Sequence, residues 1–220
     1  VKPYLVKSPT VLKWLFPKRI WSLPNNLNSV YITFDDGPIP EVTPWVLDTL
    51  SRFKAKATFF CIGDNVQKHP LIYNRLLKEG HATGNHTFNH LNGWKTSTED
   101  YSINCEKFEE ILNLVQDDKS SINTLFRPPY GKITSKQASI LQKKGYSICM
   151  WDVLSADFDA SISEEKCLQN VLKNIEPGSI IVFHDSLKAE KRLKYVLPKV
   201  LDYIYTNGLN SNKISLNSEI

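Results

Sequence analysis

Short apolar runs rich in β-branched and aromatic residues recur along this chain, each followed by an amphipathic stretch long enough for a helix, and this alternation limits the folds open to it. Strands are expected at residues 30–34, 58–62, 81–85, 124–127, 147–151 and 179–184. Helices are expected near 43–52, 71–79, 97–115, 135–144, 163–174 and 191–206. Three carry start signals: Thr43 ahead of Pro44, Ser97 three residues before Asp100, and Ser161 three before Glu164. Repeated strand-then-helix order implies an α/β protein with a parallel sheet, because parallel neighbours need a crossover that a helix supplies. Six or seven such units predict a closed or nearly closed (β/α) barrel. No repeat, low-complexity segment or Pro/Gly-rich linker divides the chain. One domain is therefore expected over residues 28–210, with an N-terminal extension at 1–27 and a C-terminal tail at 211–220.

Composition sets further bounds. With 41% hydrophobic and 23% charged residues, 220 residues can bury one sizeable core. Lys and Arg exceed Asp and Glu by 27 to 23, scattered rather than in runs, so no nucleic-acid partner is expected. Cys61, Cys105, Cys149 and Cys167 lie far apart with no CxxC pair, which argues against a disulfide scaffold, and Cys61 and Cys149 sit in apolar, strand-like runs that read as buried, inert thiols. No stretch approaches the roughly 18 consecutive apolar residues of a transmembrane segment. Residues 1–21 are broken by Lys13, Pro17 and Lys18 and end in no cleavage pattern, so no signal peptide is read there. A short amphipathic collar packed on the domain is expected, in preference to a membrane-surface contact through Trp14, Leu15 and Phe16.

The residues able to do chemistry fall where strands end: Asp35 and Asp36 after the first, His86 after the third, Arg127 in the fourth, Asp157 beyond the fifth, His184 closing the sixth. In a parallel barrel these ends open onto one face, so the residues can share a pocket. His86 and His90, spaced i, i+4 in HTFNH, aim both imidazoles one way if they sit on a helical turn, as metal ligation needs. Adjacent carboxylates at Asp35 and Asp36 repel each other unless a cation or shared proton relieves them, although DDGP is also good turn chemistry. One carboxylate with two imidazoles leaves open positions on a divalent ion, which is the ligand set of a catalytic rather than a structural site. The second carboxylate is then a natural base and His184 a candidate acid, the alternative for His184 being a satisfied core histidine.

Taken together, these motifs resemble those of the polysaccharide deacetylase family, also called the NodB-homology domain or carbohydrate esterase family 4, over roughly residues 29–209. That resemblance implies a distorted, incompletely closed (β/α) barrel of about seven units. In TFDDG (33–37) it implies Asp35 as general base and Asp36 as metal ligand. In HTFNH (86–90) both histidines would be ligands, with Thr87 bracing the loop. In RPPYG (127–131) Arg127 would orient Asp35, while Pro129 and Tyr130 line the groove and Tyr130 offers its backbone N–H to the oxyanion. VFH (182–184) matches the family's LxH with Val182 where leucine is usual and His184 as general acid. The remaining motif departs: where the family shows Asp, two residues and Asp-Trp, this chain has Leu154 and then Asp157-Phe158. Asp157 would keep His184 basic, Phe158 would supply an apolar wall, and the hydrogen bond of the first Asp is lost unless Asp152 supplies it.

The activity implied is metal-dependent removal of N-acetyl groups from N-acetylglucosamine-containing glycans, with zinc as first choice and cobalt or nickel as alternatives. Two other readings stay open: a related deacylase acting on acetylxylan or a lipid-linked formylated sugar, and a glycan-binding homologue without turnover. Trp94, in a polar loop past His90, can present an aromatic face to a sugar or anchor the loop. Trp45 and Trp151 read as packing residues, His69 and His81 as structural, and Asp185 as a loop-closing hydrogen-bond partner. Relatives often work at the cell envelope or outside the cell; no export signal is visible here, and location is left open.

Overall fold

The architecture follows from β1 (Ser29–Asp35), a strand buried along its whole length at the centre of the sheet. The computed structural model describes residues 4–24, 28–115 and 124–216. After a short helix, α1 (Thr10–Leu15), and β1 come α2 (Thr43–Arg52), β2 (Thr58–Cys61), α3 (Gly63–Lys68), α4 (Pro70–Lys78), β3 (Ala82–Asn85) and α5 (Thr98–Val115). The second half adds β4 (Leu125–Phe126), α6 (Ser135–Lys143), β5 (Ser147–Ile148), β6 (Val153–Leu154), α7 (Glu164–Leu172), β7 (Ile180–His184), α8 (Glu190–Thr206) and β8 (Asn210–Ser211). The strands run in the order β5-β4-β3-β2-β1-β7-β6, all parallel, with β8 beside the start of β1. This is a curled, incompletely closed (β/α) barrel, as the family resemblance implies.

Side-chain alternation separates the two faces of each strand. Val30, Ile32 and Phe34 of β1, Phe59 and Cys61 of β2, and Ile181 and Phe183 of β7 point outward into one apolar layer with α2 and α8. Tyr31, Phe60 and Ile180 point inward and fill the barrel with Leu125, Cys149 and Ile214. Thr33, Asp35, Val182 and His184 share that inner parity, which is how polar groups come to lie inside the barrel mouth.

The barrel is left open between β5 and β6, and residues 4–24 cover that seam. Ile20 N donates to Ile148 O and Met150 N donates to Ile20 O on the β5 side. On the β6 side Ser8 N donates to Asp152 O and Leu154 N to Val6 O. Both edges thus find partners, removing the exposed strand edge that an open sheet presents. Lys7 and Lys13 fasten the segment by ion pairs of 2.6 and 2.8 Å to the buried carboxylate of Asp152, which Ser179 also binds. The C-terminal tail is likewise held, Ile214 N donating to Thr58 Oγ1 at 2.8 Å.

Several local features differ from the expectations. Ser163, not Ser161, caps α7 by accepting from Lys166 N, while Ser161 turns to the Asp159 carboxylate. Ser97 does accept from Asp100 N at 3.1 Å ahead of α5. Thr43 opens α2 without capping it, because its hydroxyl is engaged by Ile39 N and Asp185. α3, β6 and β8 were not anticipated. All four cysteines are free and buried, as expected for Cys61 and Cys149.

Candidate active site

Asp35 ends β1 and its Cα partner across the ladder is His184, the last residue of β7. Beside them Arg127, directly after β4, is wholly buried inside the barrel. Its Nη1 donates to Asp35 Oδ1 at 2.7 Å and to Thr33 Oγ1, its Nη2 to Met150 O, and its guanidinium stacks over Phe60 at 4.0 Å. A buried arginine held on this many partners fixes the Asp35 carboxylate in one orientation.

Asp36 turns the chain out of the barrel with a left-handed backbone, φ 85°. The turn is pinned on both sides: Asn65 Nδ2 donates to Asp36 O at 2.7 Å, and Gly37 N donates to Asp185 Oδ1 at 2.9 Å. Glycine is required next, since a Cβ at Gly37 would lie 1.9 Å from Asp185 Oδ2. Asp185 also accepts from Thr43, fulfilling its expected loop-closing role, and burial pushes its carboxyl up to about 7 despite these hydrogen bonds.

HTFNH forms a loop after β3, not the helical turn that its i, i+4 spacing suggested. Asn85 Oδ1 captures Thr87 N and Asn104 Oδ1 captures the N–H groups of Phe88 and Asn89, which diverts the backbone from a helix. Thr87 and His90 adopt positive φ, and Thr87 Oγ1 accepts from Leu91 N, bracing the loop. Both imidazoles nevertheless reach Asp36. His90 Nε2 lies 3.2 Å and His86 Nε2 3.8 Å from Asp36 Oδ1.

The ligating atoms of Asp36, His86 and His90 all lie within 4.8 Å of one another, so the three can hold one divalent cation. The fit is supported by Asp36 Oδ1 itself, a buried oxygen without a hydrogen-bond partner among the described residues. His86 Nδ1–H donates to Arg127 O at 2.7 Å, which leaves Nε2 with its lone pair toward Asp36. Burial pushes His86 down to about 4, keeping it in the neutral, ligating form. Burial would raise the Asp36 carboxyl, but His90, His184 and His86 outweigh it and hold the group well below the usual carboxylate range.

On the opposite wall Asp157 Oδ1 accepts from His184 Nδ1 at 2.7 Å and Oδ2 from His184 N at 2.8 Å. Burial disfavours the charged imidazole, yet the Asp157 carboxylate wins and raises His184 to about 9. Phe158 packs edge-on against His184 at 5.1 Å, and Tyr4 packs against Phe158 at 5.8 Å. Tyr130 has left-handed backbone, φ 61°, and lays its ring over His90 at 4.6 Å.

Asp35, Asp36, His86, His90, Tyr130, Phe158 and His184 line one cavity of about 770 Å³. Arg127 and Asp157 lie buried behind it. Two expected residues stand apart. Pro129 is buried, its neighbour Pro128 lining the cavity instead, and Trp94 is 65% exposed outside the lining, its indole N–H directed at Ile133 O. Asp152 is spent on Lys7, Lys13 and Ser179, so it does not replace the carboxylate absent at Leu154. Sequence reasoning missed Tyr4, Trp151, Leu187 and Lys188, all of which line the cavity.

The family described as Polysaccharide deacetylase matches residues 23–149, and this chain belongs to that family, carbohydrate esterase family 4. The chain is 36% identical over 195 residues to a peptidoglycan-N-acetylglucosamine deacetylase of Bacillus cereus, covering 86% of this chain and 87% of that protein. It is also 36% identical to a chitooligosaccharide deacetylase of Azorhizobium caulinodans, covering 73% and 75%. A crystal structure of the Bc1960 peptidoglycan N-acetylglucosamine deacetylase in complex with a benzamide ligand superposes with a TM-score of 0.83 at 34% identity, covering 92% and 93% of the two chains. Other relatives are longer; the chain spans 59% of one and 36% of another.

Proposed function

We propose that this chain is a metal-dependent hydrolase that removes N-acetyl groups from N-acetylglucosamine-containing glycans, releasing acetate. The observation that carries the reading is the cavity itself, where a three-ligand cation site faces two proton-transfer groups, each with its own buried partner. Asp36, His86 and His90 are the proposed ligands, with zinc the first choice. A divalent ion there would polarise the acyl carbonyl and make water nucleophilic near neutral pH. Asp35, oriented by Arg127, takes the proton of the attacking water. The Tyr130 backbone N–H is the proposed donor to the oxyanion. His184, protonated because Asp157 lies behind it, donates to the departing nitrogen. Phe158 and Tyr130 form apolar walls beside the reacting atoms. A glycan-binding homologue has no use for both Asp35 and His184, which favours turnover. The test is acetate release from N-acetylglucosamine oligomers by zinc-loaded protein, with Asp35→Asn as control. Turnover lost in the variant supports the reading, and loaded wild-type protein inert on acetylated glycans overturns it.

A further inference from the structure

The segment that covers the barrel seam is bare on its other side. In α1, Leu12 packs inward with Phe16 against the cluster around Trp21 and Tyr101. Val11, Trp14 and Leu15, at i, i+3 and i+4, instead form an outward stripe, 56%, 84% and 62% exposed. An indole is large and amphipathic, and leaving one this open forfeits about as much burial as any side chain can provide. Exposed Pro17 and Lys18 follow immediately.

Charge is distributed to match. Residues 1–34 contain five Lys or Arg and no Asp or Glu, so the chain's whole excess of base over acid resides there. Lys7 and Lys13 are neutralised by Asp152, with Glu176 also on Lys7. Lys18 and Arg19 have no carboxylate partner among the described residues, and Arg19 rests its guanidinium on the Phe16 ring at 4.1 Å. Gln142 Nε2 donates to Lys18 O at 3.0 Å, which brings the C-terminal end of α6 and its exposed Lys143 close by.

We propose that this face is a docking surface for an anionic lipid bilayer. Val11, Trp14 and Leu15 enter the headgroup–acyl boundary, and Lys18 and Arg19 meet lipid phosphates. A basic rim complements anionic lipid, whereas a symmetric contact between two copies would set the same cations against each other. A six-residue helix cannot span a bilayer, so the contact lies in the interface plane. The same segment carries Tyr4 to the cavity, so docking also fixes how the cavity mouth faces the membrane.

The experiment is sedimentation of the full chain with vesicles of equal parts phosphatidylglycerol and phosphatidylcholine, against phosphatidylcholine alone. Binding is expected to the anionic vesicles, weakening with salt as exposed charges are screened. Trp14→Ser with Leu15→Ser should weaken partitioning roughly tenfold or more. Lys18→Glu should lower the salt-sensitive part alone, and circular dichroism confirms that these surface variants fold. Brominated lipid should quench wild-type tryptophan fluorescence more than that of Trp14→Phe. The proposal is overturned by absence of vesicle binding, by binding that the double variant leaves unchanged, or by a Trp14-dependent dimer in sedimentation velocity without vesicle binding.

Discussion

Replacing Asp157 with Asn removes the charge that keeps His184 protonated while nearly preserving shape. Asp157 is wholly buried and accepts both the His184 ring and backbone N–H groups, so no water replaces it. The rise of His184 from its ordinary value to about 9 amounts to roughly 3 kcal/mol in favour of the imidazolium. An amide is uncharged and has one acceptor oxygen for two donors, so His184 in the variant keeps its burial penalty with only Asp36 and Asp35 to oppose it, which takes its titration back toward the ordinary value. At about pH 8 an imidazole with a pKa near 9 is about nine-tenths protonated, whereas one near 6.5 is about 3% protonated, roughly a thirtyfold loss of the acid form. The value of kcat/KM for acetate release should therefore fall by up to about thirtyfold at that pH, and its alkaline limb should move down by up to about two pH units. A bound dication lowers the titration in both proteins alike, so the difference between the limbs is the quantity to read. The assay is initial rate across about pH 5 to pH 10 on protein of measured metal content. A uniform fall in rate with the limb unmoved refutes the reasoning and makes Asp157 a support for the end of β7 alone.

Asp36→Ala should abolish stoichiometric zinc binding measured by mass spectrometry, while Asp35→Asn should retain it; equal zinc content in wild type and Asp36→Ala would sink the ligand assignment. Gly37→Ala places a methyl on the Asp185 carboxylate, which Thr43 prevents from yielding, and should cost about 2–4 kcal/mol in urea unfolding together with weakened metal binding. Asp152→Asn should cost roughly 1–2 kcal/mol, because Lys13 loses its ion pair while the part-buried Lys7 keeps Glu176. Because Asp152's carboxyl is held below its ordinary value, burial being outweighed by Lys13, Lys7 and Ser179, its contribution is present above about pH 4 and is lost as pH falls through the folded-state value. The difference between wild type and variant should accordingly shrink in acid, and a difference constant to the lowest pH would contradict the pairing.

The parts of the molecule legible in sequence were those with a long or repeated signal. The helix over Thr43–Arg52 carries a full amphipathic period, and β1 and β2 are rich in β-branched and aromatic residues. α3 is six residues long and starts at Gly63 with no side-chain cap, too brief for a period to register. β6 is two residues whose extended backbone depends on β7 and Val6, partners remote in sequence. The candidate ligands were legible because two imidazoles and a carboxylate pair in short motifs are uncommon, whereas Trp151 was read as packing because its type alone does not distinguish a core wall from a cavity wall. Tyr4 carried no signal at all, since its place beside Phe158 depends on residues 6–8 pairing with β6.

The adjacency of Asp35 and His184 across β1 and β7 has a consequence for how the chain acquires activity during synthesis. β1 leaves the ribosome well before β7, the strand that must lie beside it, because α2 through α7 are made in between. Contacts of such separation close late, after the entropy of a long loop has been met. A nascent chain carrying both carboxylates and the imidazoles of His86 and His90 therefore still lacks His184 and the second neighbour of β1. Truncation before residue 180 leaves that central strand unpaired along one edge, a hydrophobic surface for chaperones or aggregation in place of a weakened hydrolase.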